Sequence, residues 1–121
     1  MSLVRQNFEM FRGEAKLISV TVNDEIGSPL VGIDTVDFEY RLWEAPASAN
    51  KQPVLELDAD DMSIDEPESK VIITLEKADT VELEPGEYTH ELKLIDEDGN
   101  ENIIMHGTVT ILYSSIEINE S

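Results

Sequence analysis

Pro85-Gly86-Glu87-Tyr88-Thr89-His90-Glu91-Leu92-Lys93-Leu94-Ile95, Asp96-Glu97-Asp98-Gly99-Asn100-Glu101-Asn102 and Ile103-Ile104-Met105-His106-Gly107-Thr108-Val109-Thr110-Ile111 follow one another without interruption. They read as two strands joined by a tight acidic loop. In the first arm Tyr88, His90, Leu92 and Leu94 share one face, and Thr89, Glu91 and Lys93 share the other, a period of two that no helix satisfies. Pro85 and Gly86 stop whatever precedes the arm. Asp98 and Gly99 supply the positive φ that a reversal between strands needs.

Outward from this hairpin, Val36, Phe38, Tyr40 and Leu42 alternate with Asp37, Glu39, Arg41 and Trp43, which predicts a central strand with one wet face. Ala15 to Asn23 carries Ile18, Val20 and Val22 in a β-branched run. Val71, Ile73 and Leu75 oppose Ile72 and Thr74 over residues 70–76. Val54 to Leu57 is a shorter strand candidate. In residues 4–13 the even positions, Phe8 and Met10 among them, are expected to face inward. Asp24 to Pro29 reads as a turn followed by an apolar patch at Leu30, Val31 and Ile33. Residues 44–53 read as a loop, and 58–69 as a loop or irregular edge around Met62 and Ile64. Lys77 to Leu83 suits one or two helical turns. Leu112 and Tyr113 extend the last strand.

About seven short strands with turn signals between them and no βαβ alternation predict an all-β fold, an antiparallel immunoglobulin-like β-sandwich with one short helical turn. A length of 121 residues suits one domain, expected over 4–113, with a flexible tail at 114–121. Met1-Ser2-Leu3 reads as a cloning leader.

The chain has 27 Asp and Glu against 8 Lys and Arg, a formal charge of −19. Such a surface repels phosphate backbones and anionic lipid, so neither nucleic acid nor membrane is expected as a partner, and basic protein surfaces are favoured. At 40% hydrophobic residues the chain is nevertheless rich enough to pack a core. The lack of cysteine excludes disulfides and thiolate chemistry. Glu9, Arg12, Glu14 and Lys16 break up the first 20 residues, so no signal peptide is expected.

No nucleophile, base and orienting group assemble in the sequence, and the chain is expected not to be an enzyme. Asp96, Asp98 and Asn100 have the oxygen density of a calcium loop, but Gly107 falls where a bidentate glutamate belongs, so a solvated turn is the better reading. A second acidic group comprises Asp58, Asp60, Asp61, Asp65, Glu66 and Glu68, and a shared cation site would require the two loops to lie at the same end. His90, beside Tyr88 and Leu92, is expected to be a core or cross-strand partner, and His106 to be exposed. Trp43 is either a partner anchor, with Arg41 beside it, or a cap on the core next to Pro46.

Arg12-Gly13-Glu14 before an Ile-Ser-Val-Thr-Val strand, Asp24 to Val31 and the Val36 to Leu42 strand, together with Pro85-Gly86-Glu87-Tyr88, the Asp98-Gly99 turn and Gly107-Thr108-Val109-Thr110, resemble small bacteriophage and prophage structural proteins over residues 12–112. The family type is the β-sandwich module of tails, baseplates and head fibres. The resemblance implies a non-enzymatic virion or assembly protein without a cofactor, docking to other virion or phage-assembly proteins, with a homo-oligomer as one form of assembly, and located in the virion or the host cytoplasm. The alternative is a calcium-dependent carbohydrate- or surface-binding module.

Overall fold

The computed structural model describes residues 4–23, 33, 36–45 and 52–113. The expected turn at 24–29, the residues Leu30 and Val31, most of the 44–53 loop, the leader and the tail lie outside the described residues. The described strands are β1 (Val4–Arg5), β2 (Phe8–Phe11), β3 (Lys16–Thr21), β4 (Asp37–Glu44), β5 (Leu55–Asp58), β6 (Met62–Asp65), β7 (Lys70–Leu75), β8 (Gly86–Ile95) and β9 (Glu101–Leu112). A single helical turn, α1 (Lys77–Thr80), joins β7 to β8.

These strands form two sheets. The larger runs β1–β9–β8–β4–β5, with β2 also on β9, and the smaller runs β3–β7–β6. The chain passes between sheets at β2–β3, β3–β4, β5–β6 and β7–β8, the Greek-key connectivity of immunoglobulin-like sandwiches. The antiparallel pairs are β4–β5, β4–β8, β8–β9, β3–β7 and β6–β7. β1 and β2 run parallel to β9, because the first and last strands lie side by side in the same direction.

The alternation read from the sequence places the core. Phe38, Tyr40 and Leu42 of β4, Val71, Ile73 and Leu75 of β7, and Leu92 and Leu94 of β8 are buried between the sheets with Ile18, Val20, Val109 and Ile111. One irregularity breaks the pattern. Leu92 pairs with Met105 but Lys93 pairs with Ile103, so Ile104 is an extra residue in β9 and both Ile104 and Met105 are buried.

The acidic stretch 58–69 differs from a plain loop. Asp58 caps a 3-10 turn at Ala59–Asp61: its carboxylate accepts from Asp60 N at 3.0 Å, while Asp61 Oδ2 accepts from Asp58 N at 3.2 Å. The reciprocal cap turns the chain out of one sheet and into the other, where Met62–Asp65 pairs with β7. Polar composition hid this strand, since only its Met62 and Ile64 side reaches the core.

Two details fix the ends of the sheet. Tyr88, at the start of β8, donates its hydroxyl to Glu84 O four residues upstream, the tyrosine corner that closes the crossover into this strand. Gly86 and Gly99 have φ of 148° and 84°, so both turn glycines expected from the sequence adopt backbone that a side chain would strain.

Gly107 answers a different need. A Cβ there would lie 1.8 Å from Gln6 O and 2.6 Å from Gln6 C, because the link between β1 and β2 crosses directly over it. Thr108 N donates to Asn7 Oδ1 at 2.8 Å and Gln6 N to His106 O at 3.0 Å, holding that crossing closed. The expected cost of Gly107→Ala is about 3 kcal/mol, at the upper end of overpacking penalties, because the clash is with backbone that cannot rotate away. Urea unfolding would show it as a lowered midpoint with an unchanged slope.

Candidate functional site

The outer face of the larger sheet carries the polar positions of β4, β5, β8 and β9. Register places Arg5, His106, Glu91, Arg41 and Glu56 side by side across five strands, a row of charge running from one edge to the other. Arg41 pairs with Glu39 on its own strand and its Nε lies 4.0 Å from Glu56 Oε1. That Nε is buried and has no hydrogen-bond partner among the described residues. His106 is half-buried in this row and not fully exposed as expected. Trp43 follows Leu42, which is inward, so it stands half-buried on the outer face opposite Thr89. Arg41 and Trp43 therefore share one surface, and Pro46 lies outside the described residues.

At the β4–β5 end this face opens into a cleft of about 210 Å³ bordered by five carboxylates, those of Asp37, Glu39, Glu56, Asp58 and Asp61. A neighbouring cleft of about 330 Å³ shares Leu57 and Asp61 with it and adds Asp60, Glu76 and Asp79. The hairpin loop after β8 lies at the same end, because Ile95 pairs with Asp37 while Asp58 pairs with Glu39. The two acidic groups of the sequence are thus brought to one end of the sandwich. Among the described residues they do not converge: no three His, Cys, Asp or Glu side chains are placed to hold a metal ion.

Much of this acidity serves the backbone. Asp96 Oδ1 accepts from Asp98 N at 3.0 Å and Asn100 N at 2.9 Å, and Oδ2 accepts from Asn100 Nδ2 at 3.3 Å. Of the expected calcium set Asp96, Asp98 and Asn100, the first braces the turn formed by the other two. Asp65 similarly accepts from Glu68 N at 3.3 Å, and Asp79 from Glu76 N at 2.8 Å.

The interior holds one titratable cluster. His90 is fully buried, with Phe8 and Tyr40 packed against its ring edge to face at centroid distances of 5.5 and 5.6 Å. Its Nε2 lies 2.7 Å from Gln6 O and its Nδ1 2.9 Å from the Tyr40 hydroxyl. A carbonyl only accepts, so Nε2 carries the proton and donates it, and Nδ1 of the neutral ring accepts from Tyr40. Burial lowers the His90 pKa and raises that of Tyr40. Spacing along β8 put His90 in the core, as expected. Its partner Gln6, 84 residues away, gave no signal in the sequence.

No family model matches the sequence and no curated protein matches it. Among solved structures, the fold is similar to that of the PmoD soluble domain from Methylocystis sp. ATCC 49242 (Rockwell), with a TM-score of 0.50, 10% identity, and 86% of this chain covering 77% of that one. CopC from Methylosinus trichosporium OB3b is matched at a TM-score of 0.41 and 13% identity, over 94% of this chain and 89% of that one. Extracellular domains 3–5 of Drosophila OTK are matched at 0.33 and 10%, over 93% of this chain and 33% of that one.

At these identities the likeness is one of fold, and it corrects the expected family. The structure resembled is the PmoD soluble domain, and the reading as a phage or prophage tail, baseplate or head-fibre protein is overturned. The phage-assembly partners inferred with it fall as well, as does calcium-dependent surface binding. The expectation of no cofactor, with calcium at the Asp96, Asp98 and Asn100 loop as the exception, is corrected as well.

The Asp96 carboxyl is held below the ordinary carboxylate range, chiefly by the Asn100 backbone N–H. Its contribution to stability is therefore present above the unfolded pKa of 3.8 and is lost as pH falls through the lower folded value. The expected result for Asp96→Ala is a melting temperature below wild type at pH 7, with the gap closing as both proteins are acidified below pH 3.8. A gap that stayed constant down to that range would show the brace to act other than through the ionised carboxylate.

Proposed function

We propose that the chain is a non-enzymatic recognition domain that binds a basic polypeptide segment along the β4–β5 side of its larger sheet. The observation that carries this reading is the cleft bordered by Asp37, Glu39, Glu56, Asp58 and Asp61, opening onto the face that holds Arg41 and Trp43. An entering guanidinium or ammonium group would bond to more than one of these five carboxylates at once.

Arg41 has a positioning role in this reading. It lies against Glu39 and Glu56, limiting how far those carboxylates turn from the cleft. Trp43 supplies a large half-buried aromatic surface, a residue type that anchors interfaces and accepts cations over its ring. Among the described residues the outer side of β5 has no strand partner and offers its backbone to an extended segment. A charge of −19 draws basic partners in from solution and makes the approach sensitive to salt.

Trp43 is the chain's only tryptophan, so its fluorescence reports directly on this face. Titration with a ten-residue arginine- and lysine-rich peptide is expected to shift that emission at low salt, and to do so at least tenfold more weakly when salt is raised tenfold. Replacing Glu56 and Asp37 together by Gln and Asn is expected to weaken binding tenfold or more, about 1.4 kcal/mol. Equal affinity in that double variant and in the wild type would refute the assignment of the cleft.

A further inference from the structure

We propose that Val4–Phe11 is an acid-released strand, latched by the contact of Gln6 with buried His90 and freed when that imidazole takes up a proton. The segment is built for local opening. β1 and β2 are two and four residues long, lie at the edge of the larger sheet and, among the described residues, pair only with β9. Between them Gln6 makes three contacts: its N–H to His106 O at 3.0 Å, its carbonyl to His90 Nε2 at 2.7 Å, and its side-chain Nε2 to Ser19 O of the other sheet at 2.8 Å. The carbonyl of Gln6 and the ring of Phe8 cover the imidazole from this side.

Of the groups around His90 the Gln6 carbonyl alone favours a cation, and burial outweighs it. β4 presents the Tyr40 hydroxyl, β9 presents Gly107 with His106 acting through charge from the outer face, the β1–β2 link presents Gln6 O, β2 presents Phe8, and β3 contributes Lys16, whose Nζ lies 5.0 Å over the Phe8 ring. Glu91 follows His90 on the strand and points to the outer face. The titratable neighbours are thus a phenol and two bases, and no carboxylate faces the ring among the described residues. Protonation adds one proton at Nδ1. The Tyr40 oxygen must then accept instead of donate, and its own hydrogen loses its acceptor inside the core.

A neutral folded imidazole facing a titratable unfolded one binds fewer protons than the unfolded chain. Its stabilising contribution is therefore complete above the unfolded pKa of 6.5 and declines as pH falls below it. Lifting Val4–Phe11 from β9 hydrates the imidazolium without dismantling β4, β8 or β7, so the acid response concentrates in the edge strand. Opening also bares the β9 edge from Met105 to Leu112.

Amide hydrogen exchange between pH 7.5 and 5.0, corrected for intrinsic rates, tests this. The expected result is at least a tenfold loss of protection across residues 4–11 below pH 6.5, while amides of β4 and β8 stay protected. His90→Gln keeps a donor for Gln6 O and an acceptor for Tyr40, and is expected to abolish the pH dependence while leaving the strand docked. Tyr40→Phe removes the bond that favours the neutral ring, and is expected to move release to higher pH, whether or not the glutamine variant folds. His106→Gln is expected to retain release. Identical pH profiles for the wild type and His90→Gln, an unmoved profile in Tyr40→Phe, or simultaneous loss of protection in all strands would each overturn the proposal.

Discussion

The close passage of Gln6 over Gly107 is the constraint on which the larger sheet depends. A strand running parallel to its neighbour normally needs a long crossover, and here the first and last strands of the domain meet instead. They can do so because residue 107 has no side chain, letting the backbone carbonyl of Gln6 reach over β9 to the imidazole of His90. The same residue spans to Ser19 on the other sheet. One backbone position therefore ties together an edge strand, the core and the opposite layer. In antibody domains a cysteine sits two residues after the tyrosine corner, where a disulfide joins the sheets. His90 occupies that place relative to Tyr88, but its hydrogen bonds to Tyr40 and Gln6 stay within the larger sheet, and it is the Gln6 side chain that reaches Ser19 of the other.

The acidity of the chain divides into two kinds. Asp58, Asp61, Asp65, Asp79 and Asp96 accept from backbone N–H groups and shape turns. Their number reflects how often a short-stranded sandwich must reverse its chain, since Asp satisfies the exposed donors of a turn at no steric cost. The second kind, Glu39 and Glu56 on the larger sheet, borders a cleft that Asp37, which accepts from Phe38 N, also lines. Across β4 and β5, Glu39 stands opposite Asp58 and Glu56 opposite Arg41, so this acidity belongs to the sheet surface and not to any turn.

The phage resemblance failed for a physical reason. The signals it rested on were Pro85-Gly86, Tyr88, the Asp98-Gly99 turn and the Gly107-Thr108-Val109 strand. Each answers a requirement of the fold: a glycine with positive φ opening β8, a hydroxyl closing the corner at Glu84, a reversal, and a close backbone approach. Any sandwich with this connectivity meets the same requirements, so such residues mark architecture and cannot separate one family from another.

By itself the sequence determined the β8–β9 hairpin, the inward faces of β3, β4, β7 and β8, the helical turn before Pro85 and the sandwich class. All of these rest on side-chain alternation and turn chemistry, which are local and written in consecutive residues. The strand Met62–Asp65 escaped because its polar edge carries too few apolar residues to announce a period. Tertiary structure alone decided the parallel docking of β1 and β2, the extra residue at Ile104, the partners of His90 and the gathering of Asp37, Glu39, Glu56, Asp58 and Asp61 around one cleft. Each of these joins residues distant in the chain, and which of them meet is set by strand order and register, on which a residue's own neighbours in sequence carry no information.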